Sequence, residues 1–192
     1  TAMLVSAARL LVDRSDDLAG TVVFMFQPGA EGMHGARTML DEGLLDGRAV
    51  NRAFAIHQSP SIPSGMVTTR GGPLLASADV FTVTVKGRGG HASMPHQAAD
   101  PVPVAAAMVG AFQTMVTRKV DVFDPAVVTV ARLRAGSTNN VIPETAELVG
   151  TVRTTSERSR ALVLGEIERI ATSYATAHDM SAEVDIERSY PV

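Results

Sequence analysis

From residue 79 onward the sequence runs through six patterned segments, and their order leaves few folds open. Asp79–Lys86 (DVFTVTVK) alternates apolar and polar residues, the period-two rhythm of a strand with one face on a core. Asp100 then stands before Pro101, an N-cap carboxylate ahead of a proline at the first helical position. Val102, Ala106, Val109, Phe112 and Val116 form the expected buried stripe of that helix. Val127–Leu133 and Ala146–Thr154 read as strands. Ser156 caps a second helix with the stripe Val163, Ile167, Ile170, Tyr174 and Ala177, and Ala182–Glu187 alternates again. The order β-α-β-β-α-β is the ferredoxin-like, α+β plan: a four-stranded antiparallel sheet with two helices on one face.

The grammar before residue 73 differs. Met3, Leu4, Ala7, Ala8, Leu11 and Val12 recur at helical spacing, and Asp16, Asp17 and Gly20 end that helix. Thr21–Gln27 (TVVFMFQ) is an unbroken β-branched and aromatic run, the pattern of a strand buried on both faces. Gly35–Glu42 reads as a helix closed by Gly43, and Ala53–Gln58 as a second short buried strand. Strand, helix, strand at this spacing predicts a parallel α/β unit. Ser59–Gly72 is rich in Pro, Ser and Gly, with a short strand expected at Met66–Thr69, so a domain boundary falls near residues 73–78.

At 192 residues the chain has room for one large domain or two small ones. Apolar residues at 45% and charged residues at 19% exclude global disorder. Seventeen basic against 20 acidic residues give a formal charge of -3, which argues against a general nucleic-acid binder. Aromatics at 4% are too few for stacking on bases, so an RNA-binding use of the ferredoxin-like plan is disfavoured. Cysteine is absent, which excludes disulfides, thiolate metal sites and cysteine nucleophiles; any metal must be held by His, Asp or Glu. No apolar run reaches the roughly 18 residues of a membrane span. The start, Thr1-Ala2-Met3-Leu4, has no signal-peptide pattern, and a cytoplasmic location is expected. The chain opens in what reads as mid-helix, without an initiator Met, and is expected to be an internal fragment.

Four places carry residues suited to chemistry. Gln27-Pro28-Gly29-Ala30-Glu31-Gly32 follows the C-terminal end of a predicted strand, the rim where open α/β sheets bind ligands. There Glu31 is either a carboxylate favoured by a helix dipole or a ligand. His57 ends the second predicted strand on the same rim. Alone it is an ordinary surface residue; beside Glu31 it makes half of a divalent-metal site. Gly87-Arg88-Gly89-Gly90-His91-Ala92-Ser93 is either a flexible hairpin or a loop that positions an imidazole by close backbone approach. It lacks the Gly-Lys-Ser/Thr ending of a phosphate loop. Gly136–Pro143 contains Asn139-Asn140, a turn former. Arg153, inside an apolar strand, has the planar fork that binds a carboxylate. His34 and His178 carry little information.

Taken in order, FMFQPGAEG, FAIHQSP, VKGRGGHASMPHQAADPV and GSTNNVIPETAELVGTVRT resemble the aminoacylase and carboxypeptidase-G-type dinuclear metallohydrolases. Within that family they are most similar to the hippurate hydrolases and amino-acid-conjugate amidohydrolases. The resemblance implies a metal-dependent amidohydrolase or peptidase that cleaves N-acyl amino acids or peptides, with two divalent ions, Zn or Mn. It implies that residues 1–75 are part of a catalytic α/β domain, that 76–188 form a ferredoxin-like lid and dimerisation domain, and that 189–192 return to the catalytic domain. Glu31 and His57 match metal ligands. His91 matches a lid histidine that stabilises the oxyanion, and Asn140 and Arg153 match residues that hold the substrate carboxylate. A homodimer is expected, with the strand Asp79–Lys86 or its neighbours offering an edge and Ala105, Ala106 and Gly110 allowing close helix packing. No nucleic-acid or membrane partner is implied.

Two departures from the family pattern stand out. Ala30 occupies the position of the family's general-base glutamate. Glu31 and His57 are two of roughly five expected ligands, so at best a partial metal site is expected. The chain by itself is therefore expected to be inactive, and the alternative reading is a catalytically dead dimerisation or binding module.

Overall fold

In the computed structural model, which describes residues 1–30 and 34–192, the chain divides into two units, Thr1–Ser64 and Gly65–Val192. The first unit holds α1 (Ala2–Val12) and α2 (Gly35–Asp41), both where periodicity places them. Its two predicted strands are not found. Thr21–Gln27 and Ala53–Gln58 join no ladder, and neither does Met66–Thr69 in the second unit. Phe54 is 89% exposed and Ile56 73%, the opposite of a doubly buried strand. The physical reason is that a strand is completed by its neighbours. β-branched content favours extended chain, but no described residue supplies the facing N–H and C=O groups.

In the second unit the elements are β1 (Ala78–Lys86), β2 (Gly90–His91), α3 (Pro101–Lys119), β3 (Ala126–Ala135), β4 (Val141–Ile142), β5 (Thr145–Thr154), α4 (Glu157–Thr176) and β6 (Ser181–Tyr190). The main sheet is antiparallel with strand order β3-β5-β1-β6, and β2 and β4 pair separately. This is the expected ferredoxin-like plan. β1 lies inside the sheet, so it offers no edge itself; the free edges belong to β3 and to its own neighbour β6.

One face of the sheet carries the core. Phe81, Val83 and Val85 of β1 and Leu148 and Val152 of β5 pack with Met108 and Phe112 of α3 and Val163 and Ile167 of α4. The rings of Phe81 and Phe112 meet edge to face, with centroids 5.7 Å apart. Gly150 lies against the Phe81 ring so closely that a Cβ there would strike it, which explains a glycine in mid-strand.

Both helix caps form as expected. Asp100 Oδ1 accepts the Val102 N–H at 2.9 Å, and Ser156 Oγ accepts the Ser159 N–H at 3.0 Å. The stripes differ. α3 buries Val104, Ala105, Met108, Phe112 and Met115, whereas Val102 and Ala106 are exposed and Val109 and Val116 only partly covered. Ala105 therefore serves this core and not a helix partner. α4 buries Val163, Ile167 and Ile170 as expected, then turns to Ala171 and Ala175, leaving Tyr174 and Ala177 outside. α3 has no charge from Val102 to Thr117, so several stripes were compatible with its sequence and sheet packing selected one.

The helices are also tied electrostatically. Glu166 of α4 meets Arg169 at 2.6 Å and Lys119 of α3 at 2.8 Å. The hydrogen bonds from Arg169, then Lys119, lower its pKa from the usual 4.5 to about 2. A carboxyl more acidic in the folded state stabilises the fold above its unfolded pKa, and that contribution fades as pH falls through the folded value. The urea midpoint is thus expected to drop between pH 4.5 and pH 2. Glu166→Gln should flatten this part of the drop; an unchanged acid limb would count against the assignment. Among the described residues no helix is long and apolar enough to cross a membrane.

Candidate functional site

The glycine-rich segment after β1 is not a loose hairpin. Arg88 and Ala99 exchange two backbone hydrogen bonds of 2.9 Å, and the Gly87 N–H donates to the Glu144 carbonyl at 2.8 Å. A Cβ on Gly87 would run into the Ala99 carbonyl, so only glycine lets these strands of chain approach. The closure leads into β2, whose His91 faces Val141 of β4. One residue further, the Ala92 N–H donates to the Asn140 carbonyl at 3.0 Å. His91 and Asn140, distant in sequence, therefore stand side by side on one small ribbon, both exposed.

Each carries a hydroxyl neighbour that the sequence reading did not single out. The Ser93 N–H donates to His91 Nδ1 at 3.2 Å, and Ser93 Oγ lies 2.8 Å from the same nitrogen. The Thr138 hydroxyl donates to Asn140 Oδ1 at 3.1 Å. The available signal was a hydroxyl two residues from the functional side chain, the spacing of Asx- and ST-type local bonds.

Arg153 is placed elsewhere. Lys86 pairs with Thr145 at the ribbon's end of the sheet, and Arg153 sits at the far end of β5. Arg153 lies eight positions beyond Thr145 along the strand, roughly 26 Å at about 3.3 Å per residue. Its side chain is exposed and has no hydrogen-bond or ion-pair partner among the described residues. Within one chain it does not join His91 and Asn140.

Among the other candidates, Ala30 sits in an exposed turn and His57 in an exposed irregular stretch of the first unit. Glu31 lies outside the described residues. Among the described residues no group of three or more His, Asp or Glu side chains could hold a metal ion. Glu31 and His57 would supply two ligands where a divalent site takes four or more, so these residues do not complete such a centre. His34 adopts a left-handed conformation, φ 51°, at the start of α2. His178 follows the end of α4, donating its N–H to the Ala175 carbonyl at 3.0 Å.

The same residues decide the family. The M20 peptidase dimerisation domain matches residues 77–179, which spans β1 through α4. The chain belongs to the M20 peptidase family. An N-acetylcysteine deacetylase of Bacillus subtilis is 39% identical over 183 residues, 95% of this chain and 48% of that protein. The IAA-amino acid hydrolase ILR1-like 4 of Arabidopsis thaliana is 37% identical over 192 residues, 100% of this chain and 43% of the relative. Among solved M20 structures, the dinuclear metal-binding peptidase YXEP of Bacillus subtilis superposes with a TM-score of 0.79 at 34% identity, covering 98% of this chain and 46% of that one. A Staphylococcus aureus protein described as an aminohydrolase gives 0.89 at 30% identity, covering 96% and 49%. The M20 chain described here thus spans about half the length of the curated relatives it matches. The M20 relatives are hydrolases, by name deacetylases, carboxypeptidases and IAA-amino acid hydrolases.

Proposed function

We propose that this sequence belongs to a metal-dependent amidohydrolase that cleaves the amide bond of N-acyl amino acids. The observation that carries the reading is the ribbon that sets His91 beside Asn140 inside an M20 dimerisation domain. Relatives named for N-acetylcysteine and for amino-acid conjugates support the substrate class. In this reading residues 1–75 and 189–192 belong to the catalytic domain and 76–188 to the lid. His91 donates a hydrogen bond to the oxygen that gains charge when the amide carbonyl is attacked, a contribution of a few kcal/mol in preorganised sites. Asn140 offers its amide, and Arg153 its guanidinium, to the substrate carboxylate.

Because Arg153 lies at the end of the main sheet away from the His91 ribbon, a second copy is the natural way to bring both to one substrate. We place the dimer contact at β3 and α3. β3 is a free edge with Val127 and Leu133 exposed, and the outer face of α3 is uncharged from Val102 to Thr117. Ala106 and Gly110 lie on that face. The β6 edge instead repeats Glu183, Asp185 and Glu187 opposite Thr84, Thr82 and Val80, so self-pairing there would stack like charges. Light scattering at micromolar concentration should give a dimer, and Val127→Lys together with Leu133→Lys should give a monomer. A dimer unaffected by both changes would move the contact elsewhere. This chain alone is expected to leave N-acetyl amino acids unhydrolysed. Turnover by it would refute the need for further ligands.

A further inference from the structure

We infer that Ser93 is a positioning residue that fixes His91 in the Nε2–H tautomer, so that the imidazole can only donate a hydrogen bond to the group it faces. The step is forced by chemistry. A backbone N–H donates and never accepts, and the Ser93 N–H is directed at His91 Nδ1. Nδ1 must therefore carry its lone pair, and the single proton of the neutral ring sits on Nε2. With Nδ1 accepting, the Ser93 hydroxyl at 2.8 Å is a second donor to the same nitrogen. The backbone around the ring is braced on both sides. The Met94 N–H bonds the His91 carbonyl at 2.8 Å, and the Ala92 N–H bonds the Asn140 carbonyl.

The neighbouring side chain is treated alike. The Thr138 hydroxyl donates to the amide oxygen of Asn140, which favours one orientation of that amide. The exposed His91 ring, with Nδ1 occupied, thus has only its Nε2–H donor to offer. A metal ion needs a nitrogen lone pair, and the His91 ring has none free. A carbonyl or carboxylate oxygen that gains negative charge is what such a donor suits. The inference rests on the reading of His91 as an oxyanion donor, and it adds that Ser93 sets the polarity of that donor.

The test reads the ring directly, in this chain, by long-range proton–nitrogen NMR of the histidines at a pH where they are neutral. His91 is expected to show a lone-pair-type Nδ1 and a protonated Nε2, with a wider separation of the two nitrogen shifts than exposed His96. Ser93→Ala removes only the hydroxyl and should narrow the separation in part, Ser93→Pro removes the N–H donor as well and should narrow it toward that of His96, and Ser93→Thr should preserve it. A His91 protonated on Nδ1, a separation no wider than that of His96, or shifts unmoved by Ser93→Pro would each overturn the proposal. Backbone amide spectra of the variants report whether the fold is retained. Because the readout needs no turnover, it is separable from the functional reading. Unchanged hydrolysis by a His91→Ala full-length protein would remove the oxyanion role and leave the tautomer result standing.

Discussion

Replacing Arg160 by methionine is expected to destabilise the second unit by about 3–5 kcal/mol, the range for removing one partner of a buried ion pair. Arg160 Nε and Nη2 donate to the two oxygens of Asp79 at 2.9 and 2.6 Å, with the Asp79 side chain fully buried and that of Arg160 6% exposed. The Asp79 hydrogen bond raises the guanidinium pKa further above its normal value, against the opposing effect of burial, so Arg160 stays charged. Glu157 takes a third bond at 2.9 Å, and Asp79 also accepts the Ser189 N–H at 3.3 Å. The pair therefore joins the start of β1, the first turn of α4 and the end of β6. In Arg160→Met, the Asp79 carboxylate keeps its burial and loses its counter-charge. Urea unfolding should show a lower midpoint with an unchanged slope. The double change Asp79→Leu with Arg160→Met should recover much of the loss, since an apolar pair needs no desolvation of charge. A single-variant cost below about 1 kcal/mol, typical of an exposed pair, would show that the clamp contributes little.

The second large effect concerns Ala30. In a full-length protein containing this sequence, Ala30→Glu is expected to raise turnover of N-acyl amino acids on the order of 10²-fold to 10⁴-fold, the usual contribution of a positioned general base. The change supplies a carboxylate that can take the proton of the attacking water and return it to the leaving amine. Metal content should stay the same, because the substituted side chain handles the proton and Glu31 and His57 are the proposed ligands. Equal rates for the full-length protein with Ala30 and its Ala30→Glu variant, measured with matched metal content, would show that position 30 is not the base. No turnover by either would favour the binding-module reading.

Much of the second unit was legible because its signals are local. Asp100 before Pro101 and Ser156 before Glu157 announce helix starts through groups two or three residues away, and both caps form. The alternation of Asp79–Lys86 fixes which residues face a core, and those faces are the ones buried. Thr21–Gln27 and Ala53–Gln58 show the limit. Their composition speaks for extended chain, while a strand needs ladder partners that local composition cannot provide.

The candidate site divides in the same way. His91, Asn140 and Arg153 were visible as unusual residues in their segments. Their grouping was not. Only the pairing of β2 with β4 puts His91 next to Asn140, and only the sheet register puts Arg153 at the other end. By itself the sequence determined the β-α-β-β-α-β order, the helix starts and the family, since these depend on periodicity, caps and motifs within short spans. The tertiary structure alone decided that β1 is an inner strand, which stripe of α3 is buried and that Arg160 closes on Asp79. Those outcomes depend on which distant segments meet, and long-range pairing is selected by the whole core at once, with no imprint on any one stretch of chain.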